Sequence, residues 1–212
     1  MRIHLSMKLK IFFLLLFFSI LLFLMLYQLN IKANTFIEPV IQVKKNVVIR
    51  KPTIKNKVLQ EAVTEEIENS KNNLFKTYKD ASFYAEGSVY ETENYESVFL
   101  IIETYVGGAH PCHDIKTWVI PKEGSSFLTL DDLINKNDNF LKDVSQSIRG
   151  DLLLSPKITN ATWLMEGTRP LKENYENFVL EENKIIFIFK EYQIAPYASG
   201  IIKASYDYSW KE

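Results

Sequence analysis

The chain has 212 residues, with 25 Lys and Arg against 26 Asp and Glu and a formal net charge of −1. That balance lacks the basic excess that a phosphate-binding surface needs, so no nucleic-acid partner is expected. Cys112 is the only cysteine, which excludes an internal disulfide and leaves stability to the core.

Ile11 to Tyr27 reads IFFLLLFFSILLFLMLY, with no charge and Ser19 as its interior polar residue. At about 1.5 Å per residue the run reaches roughly 25 Å, the short end of a bilayer span, and backbone polar groups in lipid are satisfied only within helices or closed barrels. A single transmembrane helix is expected. Arg2, Lys8 and Lys10 precede it and only Lys32 follows closely, which orients the chain N-in and C-out in the cell membrane. A cleaved signal peptide with Ala33 near the cut is the rival reading. It fits less well, because the run exceeds the usual apolar region and Ile31 stands where a small residue would be needed. The expected organisation is a cytoplasmic N-terminus over 1–10, a signal anchor over 11–27, a tether over 28–36 and a single extracytoplasmic domain over 37–212. Ten residues ahead of the anchor leave no room for a cytoplasmic domain.

Ile37 to Arg50 is β-rich and closes at Lys51-Pro52. A helix is expected from an Asn56 N-cap to Tyr78, with Leu59, Val63, Ile67, Leu74 and Tyr78 on one apolar stripe. Phe83 to Glu91 and Tyr95 to Val106 alternate around Thr92-Glu93-Asn94 as a β-hairpin. Val98, Leu100 and Ile102 face one way and Phe99, Ile101 and Tyr105 the other, so the second strand should be central. A third strand, Ile115 to Ile120, stops at Pro121. Thr129 and Asp132 then form a capping signal for a second helix carrying Leu141, Val144, Ile148 and Leu152, which Ser155-Pro156 ends. After a loop with Trp163 and Gly167, Ile185 to Phe189 and Ile201 to Tyr206 read as strands. The expected class is α+β, a mainly antiparallel sheet with two principal helices.

His110-Pro111-Cys112-His113-Asp114 gathers imidazole, thiol and carboxylate within five residues, all competent zinc ligands. Adjacent side chains of an extended segment point to opposite faces, so such a run seldom builds a whole site. There is no H-E-x-x-H, G-x-S-x-G, Walker loop or C-x-x-C. Asp131-Asp132 and Glu181-Glu182 read as a helix start and a solvated turn.

Two signatures remain: Tyr105-Val106-Gly107-Gly108-Ala109-His110-Pro111 after the central strand, and Phe189 to Gly200, FKEYQIAPYASG. Gly107 and Gly108 suit a turn with positive φ, and Tyr192 and Tyr197 either pack on the sheet or face a ligand. With these motifs in this order, Val47 to Tyr208 resembles the domain of unknown function that forms the extracellular end of sigma-V anti-sigma factors. The same domain precedes the catalytic domain in some peptidoglycan N-acetylmuramic acid deacetylases.

The resemblance implies an extracytoplasmic domain that recognises something in the cell envelope; in the anti-sigma relatives that partner is lysozyme. Anti-sigma activity would need a cytoplasmic segment, and deacetylation a catalytic domain, neither of which is found here. The expected function is a non-catalytic, membrane-anchored module without a cofactor, binding lysozyme or peptidoglycan through Tyr105, Gly107, Gly108, His110, Tyr192 and Tyr197. Two alternatives stay open. One is a metal-dependent hydrolase or deacetylase using His110, Cys112, His113 and Asp114; the other is a structural partner in an envelope complex, held through the apolar helix.

Overall fold

The central strand expected from its two apolar faces is β4, Tyr95–Tyr105, and its two faces organise the fold. Val98, Leu100 and Ile102 are buried with Leu59, Val63 and Ile67 of the long helix α1, Lys57–Thr77. Phe99 and Ile101 point the opposite way, into a second apolar layer with Val179, Ile186 and Ile188. A computed structural model describes residues 40–44 and 46–208, which lie within one compact unit.

β4 sits in a five-stranded sheet of order β1-β2-β3-β4-β5, made of Val40–Lys44, Val47–Lys51, Ser82–Glu91, β4 and Cys112–Pro121. Neighbours pair antiparallel except β2 and β3, which run parallel with α1 between them in sequence. The single β-rich run before Pro52 is two strands, because Asn46 turns the chain at φ 67°. A second sheet, β6 (Phe178–Glu181), β7 (Lys184–Phe189) and β8 (Ile202–Asp207), is an antiparallel meander. Its outer face packs Phe187, Phe189 and Ile202 with Val144 and Ile148 of α3, Phe140–Leu152. The layers therefore run α1, five-stranded sheet, three-stranded sheet, α3.

The class is α+β, but the expected single sheet is two sheets, one mixed and one antiparallel. The reason lies in β7, KIIFIF, where every residue after Lys184 is buried: such a strand needs a cover on each face. The second principal helix also divides. The Thr129–Asp132 capping box starts a short helix α2, Leu130–Ile134, and α3 begins only at Phe140. The intervening Asn-Lys-Asn-Asp-Asn favours local side-chain bonds over helix, as in the Asn139 amide donating to Asn137 Oδ1 at 2.9 Å. A fourth helix, α4 (Ala161–Gly167), is capped by Asn160. Asn56 caps α1 as expected, accepting from the Leu59 amide at 3.1 Å, whereas Tyr78 lies past the helix end and is exposed rather than on the buried stripe.

Among the described residues no helix is long and apolar enough to cross a membrane. The anchor expected over 11–27 and the tether over 28–36 lie outside the described residues.

Candidate functional site

Both motif loops leave buried strands at the same end of the molecule. The first joins β4 to β5, so its ends are fixed by the Thr104–Cys112 pairing. Gly107 and Gly108 have φ of 102° and 120°, a backbone that side chains with a Cβ rarely adopt. The exposed Tyr105 hydroxyl donates to the Gly108 carbonyl at 3.0 Å and closes the turn. The second loop follows β7, and the Tyr197 hydroxyl donates to the Pro111 carbonyl at 3.2 Å, tying one loop to the other.

Ring stacking reinforces that tie. The His110 ring lies 3.9 Å from the Tyr197 ring at an interplanar angle of 22°. Since the Pro111 carbonyl can only accept, His110 Nδ1, 2.9 Å away, carries the proton. Nε2 lies 3.4 Å from the Tyr192 hydroxyl. Partial desolvation first, then the Glu191 and Glu103 carboxylates, push the Tyr197 phenol above its ordinary value.

His113 belongs to β5, which begins three residues earlier than expected, at Cys112. Its Nδ1 lies 2.7 Å from Glu191 and its Nε2 3.0 Å from Glu103, the residue opposite it on β4. Ionised carboxylates only accept, so the arrangement uses both ring nitrogens as donors. The Glu191 side chain is 8% exposed, and His113 therefore clamps the second loop onto the five-stranded sheet.

Alternation along β5 separates the other members of the proposed metal set. Asp114 pairs with Lys190 at 2.7 Å and Lys116 at 3.6 Å, and Cys112 is free and exposed. Among the described residues no group of three or more His, Cys, Asp or Glu is placed to hold a metal ion.

Sequence reasoning left out Trp163, Glu103 and Glu191. Trp163 of α4 stacks beside Tyr192 at 6.4 Å and 23°, and its indole N–H donates to the Tyr192 carbonyl at 2.7 Å. The Asn160 N-cap was a legible signal for that helix, because its side chain accepts from the Trp163 amide at 3.1 Å. Nothing local marks Glu103, and Glu191 lies inside the second signature without any sign of its partner, since His113 lies 10 and 78 residues away from them in sequence. The result is a partly exposed row of aromatic rings with a histidine and two carboxylates beside it.

Residues 131–209 match the family model described as "Protein of unknown function (DUF3298)", a stretch that contains the second loop. The peptidoglycan-N-acetylmuramic acid deacetylase PdaC of Bacillus subtilis is 33% identical over 92 residues, which are 43% of this chain and 20% of that protein. The chain thus spans about a fifth of the length of that relative. A DUF3298 family protein from Pseudomonas aeruginosa superposes with a TM-score of 0.60 at 17% identity, covering 80% of this chain and 85% of that one, and shows the fold. The family match thus covers the second of the two motifs from which the resemblance was read, and the first lies ahead of it.

Proposed function

We propose that this protein is a membrane-anchored, non-catalytic extracytoplasmic module that binds a cell-envelope ligand, lysozyme or peptidoglycan glycan, through the two motif loops. The observation that carries the reading is the joining of those loops by the His110–Tyr197 stack, 3.9 Å between centroids, next to the exposed Tyr192. Tyrosines with an apolar face and a polar tip are suited to recognition surfaces. The match to part of a peptidoglycan deacetylase supports an envelope setting, and the uncharged run over 11–27 supports the anchor.

The test is calorimetric titration of the purified full chain in detergent with a chicken-type lysozyme, and co-sedimentation with isolated peptidoglycan. A variant with His110→Ala and Tyr197→Ala is run alongside. Saturable binding to either, weakened at least tenfold in the variant, is the expected result. Binding to neither at high micromolar concentration overturns the reading.

A further inference from the structure

The geometry points to Tyr192 and Trp163 as a stacking platform for a neutral N-acetylated hexosamine chain, an inference that rests on the envelope-binding reading and names its ligand class. Tyr192 sits at φ 65°, in the left-handed region that bulky side chains rarely occupy. Strain of this kind persists only where surrounding structure over-determines it. Here the Tyr192 N–H donates to the Ala195 carbonyl at 2.9 Å, and its own carbonyl receives the Trp163 indole N–H. Glycine would make the same turn without strain. The ring held there is 53% exposed, so the strain is not repaid by burial in the core.

What the ring does is extend a row. Trp163 lies 6.4 Å to one side of it and Tyr197 5.9 Å to another, spacings on the scale of one pyranose. The indole donates its only N–H inward, leaving the pair to offer carbon surface. Beside the row stand polar groups: the Tyr192 hydroxyl, next to the His110 ring, and the Glu103 carboxylate, 41% exposed. Apolar faces with a few placed polar groups suit a sugar, which stacks through its C–H face and hydrogen-bonds through hydroxyl and acetamido groups at its rim. The part-exposed Glu103 carboxylate, its charge only partly offset by His113, disfavours a phosphate or another anion there.

The experiment is titration of the purified full chain, in a detergent without a sugar headgroup, with N-acetylchitopentaose as probe. Tyr192→Gly and Trp163→Ala are measured alongside, with thermal melts of all three. Saturable binding that each substitution weakens at least tenfold is expected, with Tyr192→Gly melting no lower than the natural chain, because glycine accepts the backbone. Pentasaccharide binding retained within twofold in Tyr192→Gly overturns the platform while the envelope-binding reading stands. Lysozyme binding without pentasaccharide binding overturns the ligand class alone. If lysozyme, peptidoglycan and pentasaccharide all fail to bind, both readings fall.

Discussion

The Gln193 carbonyl passes so close to Gly167 that a Cβ built on the glycine would lie 1.9 Å from its oxygen, with Ile194 Cγ2 at 2.8 Å. Backbone, unlike the tip of a long side chain, cannot swing away. The contact sets the approach of α4 to the second motif loop, and the Gln193 side chain strengthens it by donating to the Gly167 carbonyl at 3.4 Å. Gly167→Ala should therefore cost about 3 kcal/mol, near the upper end of overpacking effects. A urea melt would show it as a lower midpoint with unchanged slope. Because the same shift parts Trp163 from Tyr192, the binding of N-acetylchitopentaose proposed for that pair should weaken with it.

Glu96 is 1% exposed, and its two carboxylate oxygens accept from the Lys55 and Asn56 amides, each at 2.8 Å, just ahead of α1. A negative group here also complements the positive end of the helix. Glu96→Ala leaves two amides without their acceptors and should destabilise by about 3 kcal/mol. Glu96→Gln keeps one acceptor oxygen but turns an NH2 toward an N–H donor, and should recover only part of the loss. Chemical denaturation of both variants orders the effects; equal stability of the alanine and glutamine forms would contradict the two-oxygen account.

Legibility in the sequence followed the range of each interaction. The Asn56 cap and the Thr129–Asp132 box are local side-chain-to-backbone bonds, and both were readable from spacing. The alternation of β4 correctly announced two buried faces. It carried no information on what covers them, so α1 on one face and a separate sheet on the other could not be read. β6 was hidden for the same reason: Phe178–Glu181 is four residues long, too short for a periodic pattern. The two motif loops were legible as special, because glycine pairs and Ala-Pro-Tyr punctuate strongly. Their contents were only half so. His110, Tyr192 and Tyr197 do gather, and Tyr105 closes its own turn, while Trp163 and the two glutamates make pairings no local pattern encodes.

Glycine substitutions should split by sign. A Cβ at Gly108 meets nothing within 4 Å, so its cost is conformational and follows from φ 120°. Gly108→Ala should destabilise by about 1 kcal/mol. Gly150 also has open space around a built Cβ but lies inside α3, where alanine is the better helix former. Gly150→Ala should stabilise by about 0.5–1 kcal/mol. Thermal melts of the two single variants check this, and a shared sign would mean that the first loop does not hold the conformation described.

Asp114 makes stability depend on acid. Burial by itself would raise its carboxyl, but the Lys190 hydrogen bond and charge, with Lys116 and the Ile115 amide, outweigh it and hold the group below the ordinary carboxylate range. A carboxylate lowered in the folded state binds protons more readily when unfolded, so its stabilising contribution is complete above about pH 4, the unfolded value. It declines as pH falls through the lowered folded value. The half-exposed side chain keeps the effect modest through solvent screening. Asp114→Asn should therefore melt below the natural chain by a constant margin from pH 5 to 7, with the two curves converging in stronger acid. Lys190→Met should shrink the same margin, since it removes the ammonium that opposes protonation. A gap that widened on acidification would mean that Asp114 is raised in the folded chain and that burial, not Lys190, governs it.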